Sequence, residues 1–174
     1  QAEAKKFFIE MVRLKKWRRT GIIWWNLLDC WPQFSDAIVD YYFVKKLAYH
    51  YIKRVQQPIC LMIDELQNWE HKVVLGNDSN ETVEVSYAVE DGDTGELFLS
   101  GKTVSKANEN KVVGAIRMLP GTKKLFILRW KIGNTEYGNH YISGYVPFEL
   151  EQYKRWLKKI ETLPQLFDNE WSWR

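Results

Sequence analysis

Pro58 divides this chain into two kinds of sequence. Before it, apolar residues recur at helical spacing; after it, they alternate with polar residues at a period of two. Ile59–Ile63 reads as a short apolar strand and Val73–Leu75 as another. Val83, Val85, Tyr87 and Val89 then alternate in the manner of a half-buried strand. Turn residues punctuate the series at 76–80 and at Asp91-Gly92-Asp93-Thr94-Gly95. Leu97–Val104, Val112–Met118, Leu125–Ile132 and Glu136–Ser143 bring the total to about seven strands. Phe126, Leu128, Trp130 and Ile132 are expected to share one face. Short strands at this spacing, with no helix between them, predict an immunoglobulin-like β-sandwich over residues 58–147.

The flanks are helical. Ala2–Arg18 reads as an amphipathic helix with Phe7, Met11 and Leu14 on one stripe, widened by Phe8 and Val12, and Gly21 stops it. A second helix is expected over Asp40–Arg54, with Val44, Leu47, Ala48, Tyr51 and Ile52 inward. Between them the apolar run after Gly21 reads as a strand. Helix, strand and helix in succession are the grammar of an α/β barrel. Residues 148–174 hold a short helix, with Leu150, Tyr153, Trp156, Leu157 and Ile160 on one stripe, and a tail whose Phe167, Trp171 and Trp173 are expected to be pinned. The fold class expected is mainly β with flanking helices.

Composition narrows the function. A net charge of +3 gives no global attraction to nucleic acid, and the basic run Arg13–Arg19 reads as the solvated end of a helix. No apolar run approaches a membrane span, so neither nucleic acid nor membrane is expected as a partner. Cys30 and Cys60 are too few for a disulfide framework and read as buried free thiols. No metal-ligand spacing joins them to His50, His71 or His140, and no cofactor is expected. Asp91, Asp93 and Gly95 lack the later ligands of a calcium loop and read as a hairpin turn. Asn77-Asp78-Ser79 and Asn80-Glu81-Thr82 match the glycosylation triplet, which matters only in a eukaryotic secretory setting.

The chemistry concentrates in Gly21-Ile22-Ile23-Trp24-Trp25-Asn26-Leu27-Leu28-Asp29-Cys30-Trp31-Pro32. Indole faces beside an amide and a carboxylate suit a sugar ring, which stacks its C–H face and hydrogen-bonds its hydroxyls. A tryptophan-rich core strand with a polar exit is the other reading these residues allow.

This segment resembles the last barrel strand of family 2 glycoside hydrolases. In their β-mannosidase-like branch the pattern is Gly-x-x-x-Trp-(Gln/Asn)-x-x-Asp-x-Trp-Pro, matched here by Gly21, Trp25, Asn26, Asp29, Trp31 and Pro32. The aromatic, basic stretch Asp40–Tyr51 resembles the family's final barrel helix, and Leu75–Tyr145 resembles its C-terminal sandwich. The resemblance implies that residues 1–57 are the last α-β-α segment of a (β/α)8 barrel. The whole would be the C-terminal portion of a retaining, exo-acting β-glycosidase of β-mannosidase or β-galactosidase type. A complete barrel needs about 250 residues, so the chain is expected to be the tail of a longer protein.

By the same resemblance Trp25 is a platform beneath the sugar, Asn26 stands beside it, Asp29 accepts a sugar hydroxyl or caps the following turn, and Trp31 lines the mouth of the site or packs under the final helix. Trp24 is expected to point away. The family's two catalytic glutamates lie on earlier strands. Asn108-Glu109 and Asn169-Glu170 match only as dipeptides, so no catalytic residue is assigned and the chain alone is expected to be inactive. The expected partners are a β-glycoside and the rest of the barrel. Self-association, or non-native packing on the sandwich, is expected to bury Phe7, Met11, Trp25 and Val44. A non-catalytic carbohydrate-binding or structural sandwich module is the alternative function.

Overall fold

A computed structural model describes residues 1–34, 36–145 and 149–164. The aromatic tail with Phe167, Trp171 and Trp173, the Asn169-Glu170 pair, and the 147/148 boundary lie outside the described residues. The chain divides into two compact units, one holding Gln1–Gln57 and the other Pro58–Gln165.

The second unit is a sandwich of two antiparallel sheets. Its strands are β1 Ile59–Ile63, β2 Glu70–Asn77, β3 Val83–Asp91, β4 Leu97–Ser105, β5 Asn110–Arg117, β6 Lys124–Ile132 and β7 Thr135–Ser143. One sheet has the order β1-β2-β5 and the other β4-β3-β6-β7. Register follows from the alternation: Ile63 pairs with Val73, Val85 with Thr103, Tyr87 with Trp130, and Trp130 with Tyr137. The β1–β2 hairpin closes on Asn68 and Trp69, both at positive φ, a primed turn that matches strand twist. Val85, Val89, Phe126, Leu128 and Trp130 fill the core with Leu61, Ile63, Val73 and Leu75 of the smaller sheet.

Polar contacts cross between the sheets. His71 on β2 meets the Ser143 hydroxyl on β7 at 2.7 Å, the Asn139 amide on β7 donates to the Leu61 carbonyl on β1 at 3.0 Å, and the Tyr87 hydroxyl on β3 donates to the Val113 carbonyl on β5 at 3.2 Å.

Leu125 and Ile127 are buried as well, although they point opposite to Phe126 and Leu128. The helix Leu150–Ile160 also packs on this unit, with Trp156 and Ile160 buried and the Trp156 indole bonded to Asp93 of the β3–β4 turn. The turn after it approaches β7 so closely that a Cβ on Gly138 would lie 3.1 Å from Leu163 and Pro164. The expected stripe is narrower than the pattern implied, because Leu150 is exposed.

In the first unit, helix α1 spans Ala2–Leu14 and helix α2 spans Leu47–Val55; the carboxy-terminal helix is α3. Both N-terminal helices are shorter than expected. Trp17 adopts a positive φ of 68°, which ends the helical path before Arg18. Asp40–Lys46 is a hairpin rather than helix: the Asp40 carboxylate accepts the amides of Tyr42 and Val44 at 2.9 and 2.8 Å, and Phe43 has φ 65°. Local side-chain capping of this kind competes with helix formation.

Helix α1 also buries a different face, with Lys6, Ile9, Glu10, Met11 and Val12 inside and Lys6 paired to Glu10 at 2.6 Å. Met11 is buried as expected, but Phe7, Trp25 and Val44 are exposed in the chain by itself. Cys60 is a buried free thiol; Cys30 is free but exposed, because the loop that carries it lies on the surface.

Candidate functional site

The apolar run after Gly21 forms no strand of a sheet, and the chain bends at Trp25 and again at Leu27. Side chains from Gly21 to Leu28 alternate strictly between exposed and half-buried. Ile23, Trp25 and Leu27 form the open side, at 99%, 76% and 60% exposure. The expected strand is not formed, because among the described residues no neighbouring strand is offered to residues 21–25.

Pairing begins just beyond. Leu28 forms a parallel bridge with Val39, and Val39 an antiparallel bridge with Lys45. The Asn26 carbonyl accepts the Ile38 amide at 3.3 Å, the Leu27 carbonyl accepts the Val39 amide at 2.9 Å, and the Asp29 amide donates to Val39 at 3.1 Å. Because 26–29 and 38–40 run the same way, the Cys30–Phe34 loop and the Tyr41-Tyr42-Phe43 turn leave this small sheet at the same end. Trp31, Phe34, Tyr42 and Phe43 are all exposed there.

Each proposed sugar-contacting residue has a defined place. Trp25 projects outward, and its peptide bond to Asn26 is cis. Trp24 is half-buried and faces the other way, beneath the Lys5 ammonium, which lies 4.7 Å from its ring centroid. The Asn26 amide nitrogen reaches the Leu28 carbonyl at 3.5 Å, while its buried Oδ1 has no hydrogen-bond partner. Trp31 is 60% exposed on the loop. Asp29 is different: its side chain is fully buried, with one oxygen 2.7 Å from the Lys46 ammonium and the other accepting from Gln33 at 3.2 Å. Its role as seen here is to tie the tryptophan loop to the 38–46 hairpin.

Lys5, Gln33 and Lys46 were not singled out from sequence. Lys5 is 20 residues from the carbonyl it binds, and Lys46 is 17 from Asp29, distances at which no local pattern signals a contact.

The sandwich offers other chemistry. Asp91 accepts hydrogen bonds from the amides of Asp93 and Thr94 and from Lys124. Burial pushes its carboxyl upward, but the hydrogen bond from Lys124, the two amides and the Lys124 charge outweigh this and hold it below the usual range. Among the described residues no cluster of His, Cys, Asp and Glu could hold a metal ion. An open depression of about 570 Å³ on the outer sheet face is lined by Glu84, Ser86, Lys102, Val104 and Lys131 and contains no aromatic ring. Glu109 sits in the β4–β5 turn and accepts the Lys106 amide at 3.2 Å. Asn77 is buried, its amide donating to the Glu81 carbonyl and its oxygen capping Ser79, so it is a turn-former; Asn80 is exposed.

No family model matches the chain. Over 59 residues it is 39% identical to beta-mannosidase B of Aspergillus niger and 37% identical to that of Emericella nidulans. The matched stretch is 29% of this chain and 7% of each relative. The solved beta-D-mannosidase from Dictyoglomus thermophilum matches at TM-score 0.68 and 27% identity, covering 81% of this chain and 18% of that one. The exo-chitosanase CsxA of Amycolatopsis orientalis, solved in complex with PNP-beta-D-glucosamine, shares the fold at TM-score 0.60 and 19% identity, over 82% of this chain and 18% of that one. These likenesses point to the C-terminal domain region of glycoside hydrolase family 2.

Proposed function

We propose that this chain is the C-terminal portion of a retaining, exo-acting β-glycosidase, with a β-mannoside as substrate. Residues 1–57 supply the last helix, strand and helix of its barrel. Trp25, Asn26 and Trp31 form one wall of the sugar site, and Asp29 holds that wall in place through Lys46. The immunoglobulin-like sandwich supports the barrel; its order β1-β2-β5 facing β4-β3-β6-β7 supports this reading of its type.

The observation that carries the proposal is the exposed, unpaired tryptophan segment. Residues 21–25 pair with no strand among the described residues, and Ile23, Trp25 and Leu27 stand in water, an apolar side that calls for neighbours. Barrel strands deliver their last residues to the active-site face. An indole there stacks on a sugar ring, a contact worth about 1–3 kcal/mol if it scales like base stacking on aromatic side chains. The names of the relatives that match over 59 residues favour a mannoside over a galactoside.

Retaining hydrolysis needs two carboxyl groups about 5 Å apart, one as nucleophile and one as acid/base. The carboxylates of this chain nearest the tryptophans do other work: Asp29 is neutralised by Lys46, and Asp40 caps a turn. The catalytic pair therefore belongs to the remainder of the barrel.

The test is hydrolysis of an aryl β-mannoside by the full-length protein and by the 174-residue chain. Turnover by the first, lost on Trp25→Ala, with none by the second, is the expected result. Turnover by the chain alone that disappears when one of its own Asp or Glu residues is changed would overturn the assignment.

A further inference from the structure

We propose that Lys5, on the first turn and a half of α1, is the positioning residue for Trp25; the proposal rests on the reading of Trp25 as a sugar platform. Two contacts carry it. The Lys5 ammonium donates to the Trp25 carbonyl at 2.8 Å, and the same nitrogen sits 4.7 Å from the centroid of the Trp24 ring. One cation thus fixes both halves of the tryptophan pair. It holds the Trp24 indole by cation–π attraction on the inner side and the Trp25 main chain by a charge-assisted hydrogen bond.

Among the described residues, 21–25 belong to no sheet, and the backbone pairing of this loop starts only at Asn26. The Trp24 ring and the Trp25 carbonyl bracket the Trp25 Cα, so fixing both also fixes the direction in which the exposed Trp25 indole leaves the chain. One helical turn before Lys5, the Gln1 side chain donates to the Asp36 carbonyl at 2.6 Å, at the far end of the same loop. The N-terminal end of α1 thereby grips the loop at two points. Lys46 anchors its middle through Asp29.

Lys5 does not reach the sugar side of the indole, so it acts through Trp25. A guanidinium at position 5 can both donate to the carbonyl and stack on Trp24; a methionine can do neither, although its length is similar.

The experiment compares Lys5→Met, Lys5→Arg and Trp25→Ala in the full-length protein, with kcat and KM on an aryl β-mannoside and thermal unfolding of each variant. Misplacing a group at a reacting subsite costs rate as well as affinity, so Lys5→Met is expected to lower kcat/KM by roughly tenfold or more. Lys5→Arg should recover most of it, and all variants should melt close to the parent. In the 174-residue chain the indole N–H signal of Trp24 should shift in Lys5→Met and return towards its place in Lys5→Arg. Near-normal kinetics in Lys5→Met beside a damaging Trp25→Ala would overturn the positioning role alone. A harmless Trp25→Ala would remove the platform and the proposal with it. Loss of activity in Lys5→Met that tracks a lowered melting temperature, without rescue by arginine, would make Lys5 structural and also overturn it.

Discussion

The Trp156 indole N–H points between the two carboxylate oxygens of Asp93, 3.0 Å from each. Trp156 is fully buried on α3, and Asp93 sits in the β3–β4 turn, so this bond stitches the helix to the sandwich. Lys159, one turn further on, donates to the Gly92 carbonyl of the same turn. Trp156→Phe keeps most of the ring and removes the donor. It is expected to cost about 1–2 kcal/mol, since the carboxylate stays partly hydrated. Trp156→Ala adds a cavity and is expected to cost about 3–5 kcal/mol. Urea unfolding of both variants checks the order; a Trp156→Phe variant as stable as the parent would mean that the N–H contributes nothing separate from the ring.

Asp91 predicts the acid limb of stability. Its folded carboxyl lies below the ordinary 3.8 because the bonds from Lys124 and the turn amides more than offset the burial that works to raise it. A depressed carboxylate stabilises the fold fully above its unfolded pKa, and that contribution declines as pH falls from there through the lower folded value. Asp91→Asn should therefore lower the melting temperature at pH 6 and make little difference near pH 2. A constant offset between the two melting curves at every pH would refute the linkage.

The seven strands were legible because their physics is local to the unit. Each strand of the sandwich finds its ladder and its apolar partners within residues 58–143, so the alternation in sequence and the burial in space agree. Leu125 and Ile127 escaped this logic: they are buried on the face opposite Phe126 and Leu128, which the alternation within β6 does not foresee. The first unit was less legible for an opposite reason. Phe7 and Val44 read as core from their spacing, yet Phe7 is 39% exposed and Val44 56% exposed among the described residues. Position 40 carried a signal that helical periodicity hid. An Asp whose carboxylate can reach the amides two and four residues on favours a turn, and the expected helix gives way to a hairpin as far as Lys46. In the site, the tryptophans were named from the motif, but Trp25 was expected to be buried and is exposed in the chain by itself. The cations that hold them came from distant positions and could be found only in three dimensions.

His71 gives a second pH dependence, nearer neutrality. A carbonyl can only accept, so Nδ1 carries the hydrogen toward Asp64 at 2.7 Å, and Nε2 accepts from the Ser143 hydroxyl at 2.7 Å. Burial between Phe126 and Tyr141 lowers the imidazole pKa below 6.5, and the Asp64 hydrogen bond and charge oppose this only in part. The neutral ring stabilises the fold fully above its unfolded pKa, and that support declines as pH falls from about 6.5 through the lower folded value. Ser143→Ala strips Nε2 of its partner and should cost about 1–3 kcal/mol at pH 8. NMR titration of the His71 ring should place its midpoint below that of a free histidine; a midpoint at or above 6.5 would refute the burial argument.

The open side of Ile23, Trp25 and Leu27 predicts the behaviour of the chain in isolation. An exposed apolar stripe on a segment outside any sheet is a template for association. The 174-residue chain should show a weight-average mass that rises with concentration in light scattering. Ile23→Lys, which places a charge on a fully exposed position and touches no packing, should suppress it. A strictly monomeric parent chain at every concentration, or an unchanged oligomer in Ile23→Lys, would count against this surface as the sticking point.

Asp29 and Lys46 test what holds the tryptophan loop. The carboxylate is buried while the lysine is about one-quarter exposed, so the two partners are not equivalent. Removing the cation leaves a buried charge with only Gln33 and its other local contacts. Removing the charge leaves an ammonium that water can reach. Lys46→Met is therefore expected to cost more than Asp29→Asn, about 2–4 kcal/mol against 1–2 kcal/mol, below the range for fully buried pairs because Lys46 is partly solvated. The double variant should be less unstable than the sum, since the second change no longer breaks a pair. Trp31 lies two residues after Asp29, so acrylamide quenching of tryptophan fluorescence should rise in either single variant before the sandwich unfolds. If Asp29→Asn were the costlier change, or if the effects of the two changes simply added, the ion pair would not be the anchor of the loop. The order of the 26–34 segment would then rest on its three backbone bonds to Ile38 and Val39 alone.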